Sequence, residues 1–298
     1  MAVERDSTFL TYVGQSWSNF RIIFRDPLGT AAFVILLFFV LVALFAPFIA
    51  KYGPLEIVYN QDRVPIRMHP PSLEYWFGTT QQGRDVFSQV VYGTRSALIV
   101  GFLSAFCIVL IGTNVGLFAG YYGGWIDAFL MRVTDVFYGI PFLPFALVLV
   151  SIFHPSLMLV IAVIGFLMWR TTARVIRSQV LTLRQRKFIL AARASGSSHL
   201  KILYFHIGPN ILPMCFLYMA FGVSWGVLGE ASLSFLGLGD PDIVSWGGIL
   251  YDAFISGGMR KAWWWTIPPG LCITLFVVGC FMIGRAYEEV MNPRLQGE

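Results

Sequence analysis

The chain has 298 residues, of which 57% are hydrophobic and only 12% are charged, and its formal net charge is +5. Soluble domains usually carry about a quarter charged residues, so this composition excludes an ordinary water-soluble globular protein. The four cysteines lie in apolar stretches without paired spacing in any loop. This pattern argues against a disulfide framework and favours inert packing residues.

Long stretches without Asp, Glu, Lys or Arg locate the membrane-spanning segments. They are Ala31–Ala50, Ser96–Ile126, Val136–Trp169, Ile202–Gly229 and Ala262–Gly284. Each provides the roughly 20 residues that a helix needs to cross a bilayer. The third stretch is long enough for two crossings and contains His154-Pro155-Ser156 at its middle. Because apolar and polar residues do not alternate, the spans are predicted as six helices rather than as barrel strands.

The basic residues predict the orientation of these six spans. Fourteen Lys and Arg residues fall on the side that carries both termini and residues 170–201, and seven fall on the other side. By the positive-inside rule, both termini are expected in the cytoplasm. This topology also accounts for the basic pI, so nucleic-acid binding is not indicated. A charged tail of thirty residues precedes the first span, which is therefore expected to be an uncleaved anchor.

This topology divides the chain into five predicted regions. They are a cytoplasmic tail (1–30), the first transmembrane helix (31–50), an extracytoplasmic segment (51–94), a five-helix core (95–284) with a segment at 184–210 between two spans, and a second cytoplasmic tail (285–298). Within 51–94, the second half is predicted to lie on the membrane surface as an amphipathic helix with Val86, Phe87, Val90 and Val91 inward. Trp263–Trp265 are predicted to form an aromatic belt at the outer membrane face.

Residues 184–210 predict two helices joined by a bend. Arg184–Ala194 is rich in helix formers, and Gly196 follows where a left-handed helix stop is favourable. Ser197 or Ser198 can cap a second helix over His199–Ile207, which Pro209-Asn210 is expected to end before the fifth span. The bend presents small side chains, which favours close approach by a partner, although packing beneath the chain's own bundle is an equal alternative.

Several polar residues near the spans are weaker candidates for a transport pathway. Glu230 is an acidic residue at the end of the fifth span, and it is either functional or, as we favour, hydrated at the outer interface as a helix cap. Arg132 and Asp135 are expected to pair locally with each other. Pro141 and Pro144 are expected to bend the third helix. His199 and His206 lie seven residues apart without a Cys or carboxylate neighbour, so a metal site is not expected.

Residues 190–210 resemble the cytoplasmic coupling motif of ABC importer membrane subunits, in which Glu-Ala-Ala is followed by Gly and later by His-Ile-x-Pro-Asn. Ala191-Ala192, Gly196 and His206–Asn210 occupy these places. Further stretches resemble the C-type permease of the dipeptide, oligopeptide and nickel branch: GTTQQGRDVFSQVVYGTRSAL at 78–98, GYYGGWIDAFLMRVTDVFYGIP at 120–141, EASLSFLGLG at 230–239, SWGGIL at 245–250 and NPRL at 292–295. Two positions depart from the pattern, since Leu190 replaces the motif's Glu and Thr80 replaces the Asp of an outer Gly-Thr-Asp motif.

The resemblance implies an all-α type I permease fold and a subunit that pairs with a second homologous permease. It further implies two cytoplasmic ATPase subunits, which hold ATP and Mg²⁺, and an extracytoplasmic binding protein that delivers substrate. The implied ATPase-coupling residues are Leu190, Ala191, Ala192, Arg193, Ala194, Ser195, Gly196, Ser197 and His199. The chain contains no Gly-Lys dipeptide and hence no phosphate-binding loop of its own, so no catalytic role and no bound cofactor are expected.

The substrate stays open at this point. Short peptides are favoured by the resemblance, with nickel, glutathione and oligosaccharides as alternatives. A self-contained secondary transporter would usually show an internal repeat and several intramembrane ionisable groups, and the sequence shows no clear repeat. A channel or a structural scaffold would not need a motif that docks an ATPase.

Overall fold

The computed structural model describes residues 26–291, and within this range the regular secondary structure is helical apart from two isolated β-bridges. The helices are α1 (Pro27–Leu44), α2 (Ala46–Ile49), α3 (Val86–Tyr122), α4 (Gly124–Gly139), α5 (Phe142–Ile152), α6 (Leu157–Met168), α7 (Arg170–Leu183), α8 (Lys187–Ala194), α9 (His199–Phe235), α10 (Trp246–Ile255), α11 (Gly258–Lys261) and α12 (Trp263–Met291). Most of the two terminal tails, and the NPRL stretch, lie outside the described residues.

Four helices, α1, α3, α9 and α12, are each long and apolar enough to cross a membrane. Two further pairs pass the same test together but are bent, α4 with α5 by 85° and α6 with α7 by 41°. The prediction of an all-helical membrane protein is confirmed, and the six predicted spans correspond to these four helices and two bent pairs. Residues 170–183, which we placed outside the spans, form the second half of a bent pair.

The helix α3 begins earlier than the sequence predicted. Asp85 caps it, because its carboxylate accepts hydrogen bonds from the Ser88 backbone N–H at 2.8 Å and from the Ser88 hydroxyl at 2.6 Å. Burial raises the pKa of the Asp85 carboxyl above its ordinary value, although both Ser88 bonds oppose this effect. The predicted surface helix over the second half of 51–94 is therefore wrong. Its apolar residues Val86 and Val90 pack in the core instead.

Other predicted boundaries also shift. The helix α1 begins at Pro27 rather than at 31, because Asp26 accepts hydrogen bonds from the backbone N–H groups of Leu28 and Gly29. At the other end of the chain, α12 passes the predicted limit at 284 and continues to Met291. In both places the helix extends past the apolar stretch. Capping and packing determine where a helix begins and ends, whereas a hydropathy pattern identifies only its membrane-embedded middle.

The bend between α4 and α5 lies at Gly139–Pro141. Ile140, which precedes the proline, is extended, and Pro141 is the N-cap of α5. Pro144 does not bend the helix, because it lies in the first turn of α5, where its missing N–H has no intrahelical partner.

Glycines spaced by four residues bring α3 and α7 into close contact. A Cβ atom at Gly112 would lie 2.6 Å from the Thr172 Cβ, and one at Gly116 would lie 2.6 Å from the Ala173 carbonyl oxygen. Gly120 faces Val180 in the same way. Small residues at such positions let two helix backbones approach closely. The α7 helix is thereby fixed along the last three turns of α3.

The predicted aromatic belt is wrong for two of its three tryptophans. Trp265 is 0% exposed and belongs to the core cluster that contains Trp246 and Phe276, whereas Trp263 is 58% exposed. The Trp264 indole donates a hydrogen bond of 3.5 Å to the Thr79 carbonyl. The start of α12 is therefore inserted between α11 and the segment 51–85, so that one side of this helix faces protein rather than a membrane interface.

Candidate coupling surface

The helix α8 ends in a left-handed stop at Gly196, whose φ is +78°. The Gly196 N–H donates to the Arg193 carbonyl at 3.0 Å, and the Ser197 N–H donates to the Ala192 carbonyl at 3.1 Å. These two bonds form a Schellman motif, in which a glycine is the favoured residue. The chain therefore turns sharply from α8 into α9 at the position where the sequence predicts the bend.

One face of α8 packs beneath the bundle. Ile189 and Ala192 are buried in a cluster with Tyr121 of α3, Ile176 of α7 and Ile202 of α9. Packing beneath the chain's own bundle, the alternative to partner docking for residues 184–210, therefore applies to this face of α8 only.

The opposite face of α8 is exposed and carries mostly small side chains. Leu190 is 51% exposed, and Ala191, Ala194 and Ser195 are also exposed. A Cβ atom at Gly196 would meet no atom within 4 Å. We call these five residues the bare face; Ala192 belongs to the packed side, and Ser197 is half-buried. A surface of this kind allows another backbone or a groove to approach closely.

Tyr121, near the end of α3, connects both sides of the α8–α9 bend. The Arg193 guanidinium lies 4.9 Å from the centre of the Tyr121 ring, and the Tyr121 hydroxyl forms a hydrogen bond of 2.9 Å with His199 Nδ1. Cation–π contacts of this kind contribute roughly 0.5–1 kcal/mol at exposed sites. Arg193 and His199, which we grouped with the partner-contacting residues, are therefore anchors of the bend. Tyr121 was missed, and its only sequence signal was its place in the GYYGG stretch.

The helix that follows the bend is continuous with the fifth span. A π-helical turn over Ile202–Ile207 leads directly into regular helix from Gly208, so the predicted end at Pro209-Asn210 is wrong. Pro209 is tolerated because it lies at the start of the regular helix, directly after the wider π-helical turn. The Asn210 side chain donates to the His206 carbonyl at 2.7 Å. The bend at Gly196 thus connects α8 directly to a membrane-spanning helix.

Asp135 does not pair with Arg132. It forms an ion pair of 2.5 Å with Arg174 of α7, while Arg132 is exposed. A second pair, Arg177 with Asp127, joins the same two helices through two hydrogen bonds. The local i, i+3 prediction failed because α7 lies beside α4 and places the Arg174 guanidinium against Asp135. Two ion pairs therefore connect α4 with α7.

Glu230 is buried rather than hydrated. It is 3% exposed and lies five residues before the end of α9, with the Ser234 hydroxyl donating to its Oε1 at 2.5 Å. Ser245, the N-cap of α10, lies near the same carboxylate. The prediction of an interfacial helix cap is wrong because α9 continues to Phe235, past the end of the charge-free stretch. Pro141, the remaining pathway candidate, is exposed at the α4–α5 bend.

Thr80 has a structural role that accounts for its departure from the motif. It is buried, its hydroxyl accepts a hydrogen bond from the Arg84 backbone N–H at 3.0 Å, and its own N–H donates to the Arg84 carbonyl at 2.9 Å. An Asp side chain at this place would accept a similar bond. Threonine therefore closes this turn as a substitute for aspartate.

The described residues form a bundle of apolar helices that carries a short exposed helix between two spans. Residues 112–297 match the model of the binding-protein-dependent transport system inner membrane component, and residues 14–71 match the N-terminal transmembrane domain of oligopeptide transport permease C. The chain belongs to this family of binding-protein-dependent inner membrane components, and it is a multi-pass permease subunit of an ABC transporter.

Similar proteins support this assignment over nearly the whole chain. The dipeptide transport system permease protein DppC of Alkalihalophilus pseudofirmus is 35% identical over 93% of this chain and 89% of its own length. The glutathione transport system permease protein GsiD of Pectobacterium atrosepticum is 31% identical, covering 99% of this chain and 96% of the relative. A chain of the MetNI methionine ABC transporter in an inward-facing conformation shares the fold, with a TM-score of 0.53, 22% identity, and coverage of 68% of this chain and 96% of that one.

Proposed function

We propose that this chain forms half of the translocation pathway of an ATP-driven importer of short peptides, and that the bare face of α8 docks on an ATPase subunit. The second half of the pathway is a homologous permease, and substrate arrives on an extracytoplasmic binding protein. The observation that carries the docking proposal is the combination of a bare outer face with an inner face anchored to three helices.

The anchoring makes α8 suited to transmit movement. Its inner face packs against α3, α7 and α9, and the Schellman motif fixes the angle at which it meets α9. The helix α9 then continues over 37 residues, which corresponds to about 55 Å at 1.5 Å per residue. An ATPase that binds α8 differently in its open and closed states would shift the conformational equilibrium of the permease by that difference in affinity.

ATP chemistry belongs to the ATPase partners in this proposal. They hold ATP and Mg²⁺, and this chain supplies contact surface and pathway. The proposed site residues are those of the bare face, with Arg193 and His199 as positioning residues that hold the bend.

The proposed location is the cytoplasmic membrane, with both termini and α8 on the cytoplasmic side. The excess of basic residues on the α8 side supports this orientation. Single cysteines at Leu190 and at Leu73, two exposed positions assigned to opposite sides, are expected to react with a membrane-impermeant maleimide on opposite faces of sealed vesicles, after the native cysteines have been replaced.

Short peptides are favoured as substrate because relatives at 30–35% identity are named for dipeptide, oligopeptide and glutathione transport. Nickel, glutathione and oligosaccharides are the alternatives. The discriminating experiment is reconstitution of the chain in liposomes with its second permease, ATPases and loaded binding protein. ATP-dependent uptake of a labelled dipeptide is expected, and uptake by this chain alone without ATP would instead identify a secondary transporter.

A further inference from the structure

A recess of about 400 Å³ lies beside the α4–α5 bend. Residues of α5, α6, α7 and α9 line it, and most of them are apolar. Its polar members are Arg170, Thr171, Trp225 and Ser232. This volume lies in the range of small-molecule sites, which are typically ~300–1,000 Å³ and combine apolar walls with a few oriented polar groups.

Arg170 is held in this recess without a carboxylate partner. Its Nη1 donates to the Phe137 and Leu167 carbonyls at 3.1 and 3.0 Å, and its guanidinium lies 5.0 Å from the centre of the Tyr138 ring. Among the side chains that the structure describes, those of residues 26–288, no carboxylate oxygen lies within 4.0 Å of Arg170. A guanidinium has five N–H donors in a planar fork, and the contacts of Arg170 orient it while using only Nη1.

A second cationic group lies one helical turn further along α7. Arg174 stacks over the same Tyr138 ring at 3.9 Å and pairs with Asp135, and both side chains of this ion pair are about half exposed. The Tyr138 hydroxyl forms a hydrogen bond of 3.0 Å with the Thr171 hydroxyl. This bond connects Tyr138, on which Arg174 stacks, to the wall of the recess. Arg174 is paired with Asp135 whereas Arg170 is not, so the cluster has an excess of one positive charge.

We infer that this recess is a contact site for the transported molecule, and that Arg170 binds the free C-terminal carboxylate of a short peptide. The apolar walls and Trp225 accommodate the side chains of the peptide. This inference rests on the proposed function, because it specifies how a peptide contacts this permease. It requires a ligand that is anionic at one end, which neutral oligosaccharides and nickel ions are not.

The assay uses the complete reconstituted complex with saturating loaded binding protein. Arg170→Met is expected to lower uptake of labelled dialanine by about tenfold to a hundredfold, the range for loss of a charge-assisted hydrogen bond. Arg170→Lys retains the charge and is expected to restore part of the uptake. The matched control is Arg132→Met, because Arg132 is an exposed arginine of α4 that does not line the recess; it should behave as wild type.

A second readout separates recognition from a general structural defect. Dialanine amide lacks the anionic carboxylate, so at equal occupancy of the binding protein the wild-type complex should import it more slowly than dialanine. In Arg170→Met this preference should disappear, while the amide itself is imported as in wild type.

The contrary outcomes are distinct. Equal uptake and an unchanged acid-to-amide preference in Arg170→Met would overturn the inference and leave the proposed function intact. Loss of the second permease from purified Arg170→Met and Arg170→Lys complexes would also overturn it, and would identify the recess as a contact between permeases. Absence of any dipeptide uptake by the wild-type complex would overturn the proposed function itself and, with it, this inference.

Discussion

The substitution Gly196→Asp tests the bare face of α8 most directly. Gly196 has a φ of +78°, so any L-residue there adopts a left-handed conformation, at a cost of about 1 kcal/mol for a residue such as aspartate that tolerates it. No atom lies within 4 Å of the new Cβ position, so a steric clash is not expected. The bundle should therefore fold and insert with nearly wild-type stability.

The effect on a docked ATPase is expected to be much larger. An unpaired charge buried at an interface costs about 2–5 kcal/mol, and a cost of about 3 kcal/mol corresponds to a more than hundredfold loss of affinity. Copurification of the ATPases with the tagged permease should fall accordingly. Peptide uptake in liposomes should be lost, while the binding protein should no longer stimulate the residual ATPase activity.

Gly257→Asp is the matched control for this experiment. Gly257 also has a left-handed φ, +68°, and a Cβ atom added there would also meet no atom within 4 Å, but it lies between α10 and α11, far along the chain from α8. Backbone strain and added charge are thus the same in both variants. Normal ATPase copurification and uptake with Gly196→Asp, or equal losses in both variants, would refute the assignment of the bare face as the docking surface.

Three further predictions follow from the described contacts. Leu190→Glu adds the carboxylate of the family motif at an exposed position and should strengthen ATPase association by about 0.2–1 kcal/mol in a salt-sensitive way; an unchanged affinity at low salt would show that no basic partner faces this position. Gly116→Ala should lower the thermal midpoint of the purified protein, because overpacking of the α3–α7 contact costs about 1–3 kcal/mol, whereas Gly139→Ala, whose new Cβ atom would meet no atom within 4 Å, should not. Asp85→Ala should lower stability by about 1 kcal/mol through loss of the α3 cap, whereas Asp85→Asn keeps the cap. The pKa of Asp85 is raised above its ordinary value of 3.8, so the folded protein should lose stability as the pH rises from 3.8 through the raised pKa. A scan of thermal midpoints against pH should show this loss of stability in wild type but not in Asp85→Asn.

The sequence was sufficient for the membrane spans and for the bend at Gly196, because both depend on local chemistry. A long stretch without charged residues predicts a helix surrounded by lipid, and a glycine after a run of helix formers predicts a left-handed helix end. The start of α3 could not be predicted in this way. The valines at 86 and 90 show the same pattern on a surface helix as on the first turns of a long span, and only contact with α10, where the Trp246 indole donates to the Val90 carbonyl at 3.0 Å, decides between them.

The polar contacts between helices depended on tertiary placement that no local spacing encodes. Asp135 pairs with Arg174 rather than with Arg132, which is nearer in the sequence, because the close α3–α7 packing positions α7 beside α4. Glu230 accepts a hydrogen bond from Ser234, four residues along the same helix, and it also lies near Ser245, which only the folding of the following loop brings close. Sequence reasoning correctly marked these charged residues as unusual, but it assigned the wrong partner to Asp135 and the wrong environment to Glu230.

The position of Glu230 has a consequence for how movement of α8 would be used. It lies near the far end of the helix that begins at the α8 bend, one residue before Ala231, whose backbone packs against Gly247 of α10. The opposite end of the same helix is held through His199 by Tyr121 of α3. Since α9 also forms one wall of the recess that contains Arg170, a displacement of α8 would reposition that wall and the α10 contact together. The chain thus links its proposed ATPase-docking face, its proposed ligand contact and its opposite end through a single continuous helix.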